Sequence, residues 1–249
     1  MVDGGKNDNA LRFSYYLPST TYHLAVIELL AKFVLAYLMG TIMGGVIVGR
    51  LRGGVDLRTV GSGNVGATNA LRTQGRGFGA AVFAIDVGKG VFAVAALPAL
   101  PWVFPGALLF GRDTLPFACG VAVALGHIFP IWYHFHGGKG AATLAGVYAT
   151  LLAPALPWMA LAFILVLILT GYVGLGSVTA ALTALLYVTC FDGRGVFSAA
   201  GLFTGLTALL VIYTHRNNLA RVWTGTEHRF EGALVLQRLW QRLRAPRGY

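Results

Sequence analysis

Three polar clusters interrupt an otherwise apolar chain, and each has the residue types that hold an anion. The first is GSGNVGATNALR, Gly61 to Arg72. Glycines at 61, 63 and 66 let backbone amides turn inward, while Ser62, Asn64, Thr68 and Asn69 add uncharged polar groups around the concavity. Arg72 supplies a full charge. Such a loop suits a phosphate; an ordinary Gly/Ser/Asn turn is the plain alternative. The second cluster is GHIFPIWYHFHGGKGAAT, in which Gly137, Gly138 and Gly140 bracket Lys139 just ahead of an apolar run. Glycines before a helix N-terminus are expected to free amide donors, and the lysine adds a mobile charge. A lysine snorkelling to the membrane interface is the competing reading. The third is THRNN, Thr214 to Asn218. His215 and Asn218 are three apart and share a face if the helix there runs one more turn; basic residues favoured by a helix C-terminus explain it otherwise. Glu227, in the turn that follows, is suited to orient a basic partner.

The remaining polar residues read as structural. Asp86 and Lys89 are spaced to pair within one helix, as are Glu28 and Lys32, and His127 reads as a hydrogen-bonded core histidine. Cys119 and Cys190 lie in apolar stretches without disulfide or metal-ligand spacing, so neither a metal nor a cofactor is expected. No G-x-S-x-G elbow, no cysteine in a basic pocket and no HxxxxD pair occurs. Catalysis, without an enzyme-borne nucleophile, would rest on positioning and on neutralising charge around reactive substrates.

The elements that must position these clusters are membrane spans. Hydrophobic residues make up 56% of the 249 and charged residues only 11%, against about 25% in soluble domains. Basic groups outnumber acidic ones 19 to 9, but the arginines sit between or after apolar segments, which points to anionic lipid and not to nucleic acid. The N-terminus lacks the pattern of a cleaved signal, so insertion would rely on the first span. Apolar runs fall at about 24–49, 78–104, 114–133, 140–153, 155–170, 176–191 and 196–214. Pro154 and Pro157 would mark a tight turn between two short spans. Six spans, with 140–170 as one kinked helix, would put the arginine-rich loop 50–77 and the arginine-rich tail on opposite sides. Seven put both inside, with the N-terminus outside. The expected fold is therefore an all-α integral membrane protein of seven helices, with the loops 50–77, 134–140 and 171–176 and the start of the tail all at the cytoplasmic face.

Together the strings DLRTVGSGNVGATNALRTQG, GHIFPIWYHFHGGKGAAT and HRNNLARVWTGTEHRF resemble the bacterial acyl-phosphate:glycerol-3-phosphate acyltransferase family, PlsY, in order and spacing, within a body from 24 to 230. The resemblance implies transfer of a fatty acyl group from acyl phosphate to the sn-1 hydroxyl of glycerol 3-phosphate. The products are lysophosphatidic acid and phosphate, and the reaction is the first acylation of phospholipid synthesis. It further implies a multi-pass protein of the bacterial inner membrane whose site faces the cytoplasm. By motif, Ser62, Arg72, Lys139, His215 and Asn218 would carry the chemistry, and Asn64, Gly66, Thr68, Asn69, Gly137, Gly138, Gly140 and Ser177 would shape the pocket. The implied partners are acyl phosphate, glycerol 3-phosphate and membrane lipid; a monomer is expected, with a dimer left open.

Two features depart from the family. Where it usually shows Arg-Tyr-x-Ser-Leu-x-Ser, this chain reads GYVGLGS, with Gly171 and Gly174 in place of the arginine and the first serine. Ser177, or amides freed by Gly174 and Gly176, would have to compensate. The chain also carries a polar extension, 1–23, and a basic tail, 231–249, that reads as an interfacial amphipathic helix. The rival class is a transporter of a phosphorylated solute, against which the clustering of polar groups on one face argues.

Overall fold

The computed structural model describes residues 19–101, 114–230 and 232. The N-terminal extension up to residue 18, the whole expected linker at 105–113 and, apart from residue 232, the basic tail lie outside the described residues. Among the described residues the chain is helical, without strands. The helices are α1 (Ser19–Gly40), α2 (Gly44–Leu51), α3 (Ala67–Gln74), α4 (Arg76–Ala95), α5 (Thr114–Ile128), α6 (Ala141–Leu151), α7 (Leu156–Thr170), α8 (Val173–Cys190) and α9 (Ala199–Trp223). Among the described residues, five segments are long and apolar enough to cross a membrane: His23–Gly40, Arg76–Ala95, Thr114–Tyr133, Ala153–Thr170 and Val173–Cys190. α6 is apolar but shorter.

Several boundaries differ from expectation; the second span, expected to reach 104, ends at Ala95, and the loop 50–77 contains the short helix α3. The first apolar run is two helices, because the chain breaks at Thr41–Met43 between α1 and α2. The break leaves carbonyls without helical partners, and the buried Lys89 of α4 takes two of them, Gly40 O at 3.1 Å and Ile42 O at 2.7 Å. α8 starts at Val173, so Gly174 and Gly176 lie in its first turns and not in a loop. α9 runs past the expected end at 214 to Trp223 and carries the whole THRNN cluster inside the helix. The turn at Pro154 and Pro157 is as expected: a short 3₁₀ segment, Ala153–Ala155, separates α6 from α7.

Small residues let these helices approach at backbone distance. A Cβ at Gly126 of α5 would overlap the Tyr37 carbonyl of α1, and one at Gly90 of α4 or Gly146 of α6 would overlap the other helix's backbone. That mode of packing suits a lipid solvent, where burying apolar surface between helices gains little and close van der Waals contact has to supply the attraction. Large apolar side chains accordingly point outward, among them Leu30 and Val34 of α1, Leu161, Leu165 and Leu169 of α7 and Leu202 and Leu209 of α9. Inside, Phe203 of α9 packs on Phe117 and Tyr148, with ring centroids 5.3 Å and 5.4 Å away, and the Tyr148 hydroxyl meets Thr207 Oγ1 at 2.7 Å.

Both expected ion pairs are present. Lys32 lies 2.6 Å from Glu28 and donates to the Pro98 and Leu100 carbonyls, which ties α1 to the turn after α4. Lys89 lies 2.9 Å from Asp86 and 2.7 Å from His127 Nδ1, and Asp86 accepts the Gly44 N–H at 3.2 Å. This second network is almost wholly buried and joins α2, α4 and α5 at the helix break.

Candidate active site

The three clusters fold onto one cavity of about 440 Å³. The first is organised by Asn69. Its side-chain oxygen accepts the Ser62 N–H at 2.9 Å, and its amide nitrogen lies within 3.1 Å of the carbonyls of Leu57, Val60 and Asn64. One buried residue of α3 thus holds the whole loop. Gly61 (φ 58°) and Gly63 (φ 71°) make the left-handed turns this needs, and a Cβ at Gly61 would overlap Asn69 Oδ1. Asn64 Oδ1 accepts the Gly66 N–H at 2.8 Å and sets the start of α3. Ser62, Asn64, Gly66, Thr68, Asn69 and Arg72 all line the cavity.

The Gly-Lys-Gly loop differs from expectation in one respect. The Gly137 and Gly138 amides are not free: they donate to Ile128 O and His127 O, both at 3.1 Å. Neither glycine lines the cavity; they seat the loop on α5, where a Cβ at Gly137 would overlap the His127 carbonyl and one at Gly138 its imidazole. Gly140, left-handed at φ 82°, turns the chain into α6, and Lys139, Gly140, Ala141 and Ala142 face the cavity. The donors at this edge are therefore those of the first turn of α6 and the lysine itself. Lys139 Nζ donates to Asn218 Oδ1, and its carbonyl accepts from Thr214 Oγ1 at 3.1 Å. Burial pushes the Lys139 ammonium down to about 8, with Glu227 opposing and Arg221 and Arg72 assisting that shift.

From α9, His215 and Asn218 share the buried face that their spacing predicted. His215 Nδ1 lies 2.9 Å from Val211 O, which puts the ring proton there and leaves Nε2 as an acceptor. Asn218 Nδ2 donates to Glu227 Oε1 at 2.6 Å, and Arg221 Nε donates to Glu227 Oε2 at 2.6 Å. Lys139, Asn218, Glu227 and Arg221 form one hydrogen-bonded chain, in which Glu227 holds a basic partner, Arg221, as expected, and the Asn218 amide as well. The sequence reading gave no role to Arg221; its place three residues after Asn218, on the same helix face, was the available signal. Ser177 lines the cavity but donates to Val173 O at 3.1 Å, so only its lone pairs remain for a ligand. Asp86 and His127 also reach the cavity wall, beyond the purely structural role expected of them.

At the two departures, Gly171 caps α7 in the left-handed region (φ 76°), and a Cβ at Gly174 would come within 2.9 Å of the Asn218 side chain.

Electrostatically the cavity has two ends. At one, the N-termini of α3 (Ala67, Thr68), α6 (Ala141, Ala142) and α8 (Val173, Gly174) converge with Arg72, Lys139 and Arg221. Three helix starts and three cations against the Glu227 carboxylate make a strong anion site. At the other, Leu156, Met159, Phe163 and Ile164 of α7 give an apolar wall, aliphatic but for the Phe163 ring. The arrangement suits a phosphate held beside a hydrocarbon chain. Fold and cavity together define an all-helical membrane protein with an anion site bordering an apolar channel.

Residues 30–225 match the family model described as glycerol-3-phosphate acyltransferase. The chain belongs to that family. It is 40% identical over 204 residues to a glycerol-3-phosphate acyltransferase of Myxococcus xanthus, covering 80% of this chain and 98% of the relative. It is 41% identical over 200 residues to that of Nitrobacter winogradskyi, covering 80% and 95%. It also resembles crystal structures of PlsY (YgiH), an integral membrane glycerol 3-phosphate acyltransferase. In the glycerol 3-phosphate form the TM-score is 0.70 at 35% identity, with 81% of this chain and 95% of that one covered. In the lysophosphatidic acid form it is 0.70 at 32%, with 83% and 98% covered.

Proposed function

We propose that this protein transfers a fatty acyl group from acyl phosphate to the sn-1 hydroxyl of glycerol 3-phosphate, as the first acylation of phospholipid synthesis. The observation that carries the reading is the single cavity that joins Arg72, Lys139 and Asn218 to an aliphatic wall. Such a space can hold a phosphorylated polyol beside an activated fatty acid. Seven spans, an external N-terminus, a bacterial inner-membrane location and a site open to the cytoplasm follow from the charge distribution, which puts both arginine-rich segments on one side. The catalytic body is 24–230, acting as a monomer.

The problem for the site is to bring two phosphates together while a hydroxyl attacks a mixed-anhydride carbonyl. Charge-assisted hydrogen bonds from Arg72 and Lys139, each worth roughly 1.5 to 3 kcal/mol, offset the repulsion. The C1 hydroxyl oxygen bonds to the acyl carbon, the carbon–oxygen bond to phosphate breaks, and the hydroxyl proton leaves on the departing phosphate. Substrate thus serves as its own base, and no acyl-enzyme forms. His215 Nε2 accepts a hydrogen bond from a substrate hydroxyl and orients it; Ser62, Asn218 and Ser177 complete the polar wall, and the first turns of α3, α6 and α8 stabilise the phosphates.

The test is phosphate release by purified protein given palmitoyl phosphate and glycerol 3-phosphate, with palmitoyl-CoA as second donor and Lys139→Ala as control. Release that depends on glycerol 3-phosphate and is lost in Lys139→Ala is expected. Turnover in detergent also separates an enzyme from a transporter, which needs a gradient. No release from folded protein with either donor overturns the reading.

A further inference from the structure

The segment after α9 does not leave the site. It turns at Gly225 (φ 72°) and runs back across the mouth of the cavity, and its backbone is fastened at two points. The Phe230 N–H donates to Gly171 O at 2.7 Å, and the His228 carbonyl lies 3.5 Å from an Arg72 guanidinium nitrogen. Between these points sits Arg229. Its guanidinium lies over the Tyr172 ring, 5.3 Å from the centroid, and Nε donates to the Tyr172 hydroxyl at 3.2 Å. A planar cation stacked on a ring and bonded through one edge is held in a fixed orientation, with its remaining N–H donors unspent on Tyr172.

Those donors border a second space. A recess of about 460 Å³ lies beside the main cavity and is lined by Gly61, Ser62, Arg72, Thr73, His228 and Arg229, among others. Ser62 and Arg72 line both spaces, so the two meet at those side chains. Among the described residues the lining of the recess carries two arginines, the Ser62 and Thr73 hydroxyls and the glycine-rich turn at Gly61, and no carboxylate. The aliphatic wall of α7 belongs only to the inner cavity.

We infer that Arg229 is a substrate-binding residue. With Arg72 it forms an outer phosphomonoester site that receives the small, water-borne phosphate substrate, and the acyl donor does not use it. The inference rests on the proposed acyltransfer and assigns the phosphate end of its polar substrate to the recess, with the hydroxyl end reaching the inner cavity past Ser62 and Arg72. Two guanidiniums flanking a hydroxyl match a phosphate dianion, and the absence of the aliphatic wall there disfavours a lipid tail. Gly171 contributes by its backbone: the left-handed cap of α7 turns its carbonyl to Phe230, and this sets Arg229 above Tyr172.

The experiment measures KM for glycerol 3-phosphate and for palmitoyl phosphate separately, in wild type, Arg229→Ala, Arg229→Lys and Tyr172→Leu. Arg229 is exposed, so its variants fold. In Arg229→Ala the KM for glycerol 3-phosphate is expected to rise about five- to tenfold, the range of one partly solvated charge-assisted contact, with kcat within a factor of two and the acyl-phosphate KM unchanged. Arg229→Lys recovers part of the loss, since charge remains while the stacked fork does not. Tyr172→Leu, which leaves the guanidinium unanchored, falls between wild type and Arg229→Ala. Calorimetric titration of glycerol 3-phosphate alone should show the same weakening without turnover. An unchanged KM and affinity in Arg229→Ala, or a rise confined to the acyl-phosphate KM, overturns the assignment. Wild-type protein without turnover would instead overturn the acyltransferase reading, and the titration still reports on Arg229.

Discussion

Lys139 gives the sharpest test of the electrostatics, because burial brings its ammonium down to about 8 in the free protein. The proposed role needs the cation. Cation is present below that value and is lost as pH rises through it. A group titrating at 8 is about nine-tenths protonated at pH 7 and about one-tenth at pH 9, so kcat/KM for glycerol 3-phosphate should fall roughly tenfold across that interval and tenfold per unit beyond it. The substrate does not obscure this, since a phosphate monoester with a second pKa of about 6 is predominantly a dianion from pH 7 upward, where the alkaline limb lies. Unfolding does not obscure it either. Between the folded value near 8 and the ordinary 10.5, the unfolded chain holds more protons on this lysine than the folded one, so Lys139 adds stability as pH rises. Melting scans at each pH check that point.

Two variants fix the cause. Lys139→Arg keeps its charge at every pH used, so the alkaline limb should vanish even if the fork fits Asn218 poorly and peak activity drops. Glu227→Gln removes the carboxylate that opposes the shift and should move the limb to lower pH. The assay is initial-rate phosphate release at fixed ionic strength from pH 6 to 10. An alkaline limb that persists unchanged in Lys139→Arg, or a limb that moves to higher pH in Glu227→Gln, refutes the reasoning.

Other substitutions probe the rest of the site. Asn218→Asp would set a second carboxylate against Glu227, where the amide now donates at 2.6 Å, and would tie Lys139 into an ion pair; kcat/KM should drop about ten- to a hundredfold, the worth of one charged contact. Gly171→Ala forces a Cβ into φ 76° at the α7 cap and should cost about 1 kcal/mol, read as a lower melting temperature in detergent. Ala160→Trp fills the aliphatic end of the cavity. If it displaces two methylenes at about 0.8 kcal/mol each, preference should shift about tenfold toward shorter acyl donors in competition assays.

The all-helical membrane character and the convergence of the three clusters were legible because both are written in local patterns: long apolar runs, and glycines grouped with cations between them. His215 and Asn218 were legible for the same reason, since three-residue spacing specifies a shared face once the helix continues. The break at Thr41–Met43 was not. Thr41, Ile42 and Met43 carry no helix-breaking signal, and what stabilises the break is Lys89, more than forty residues away, taking the exposed carbonyls. The destination of the Gly137 and Gly138 amides was equally hidden, since glycine composition shows that backbone donors can approach something and not what they approach. The return of residues 224–230 over the site depends on pairings with Gly171, Tyr172 and Arg72, none of which is local.

The two buried ionic networks divide the work of the site. The one at Asp86, Lys89 and His127 is charged at low exposure, and such a group in a membrane protein persists only when its partners are fixed. Its partners are the helix break on one side and His127 on the other, and the His127 carbonyl in turn holds the Gly138 N–H. The loop that carries Lys139 is therefore seated on a residue of the inner network. The outer network, Lys139 through Asn218 and Glu227 to Arg221, keeps its ammonium half-buried and its guanidinium partly exposed. On the proposed function, a phosphate arriving there would replace Asn218 as the partner of Lys139 and leave the inner set in place. Rigidity is supplied by the more deeply buried network, and exchangeable charge by the wetter one, so that the proposed binding needs a change of partner and not a change of fold.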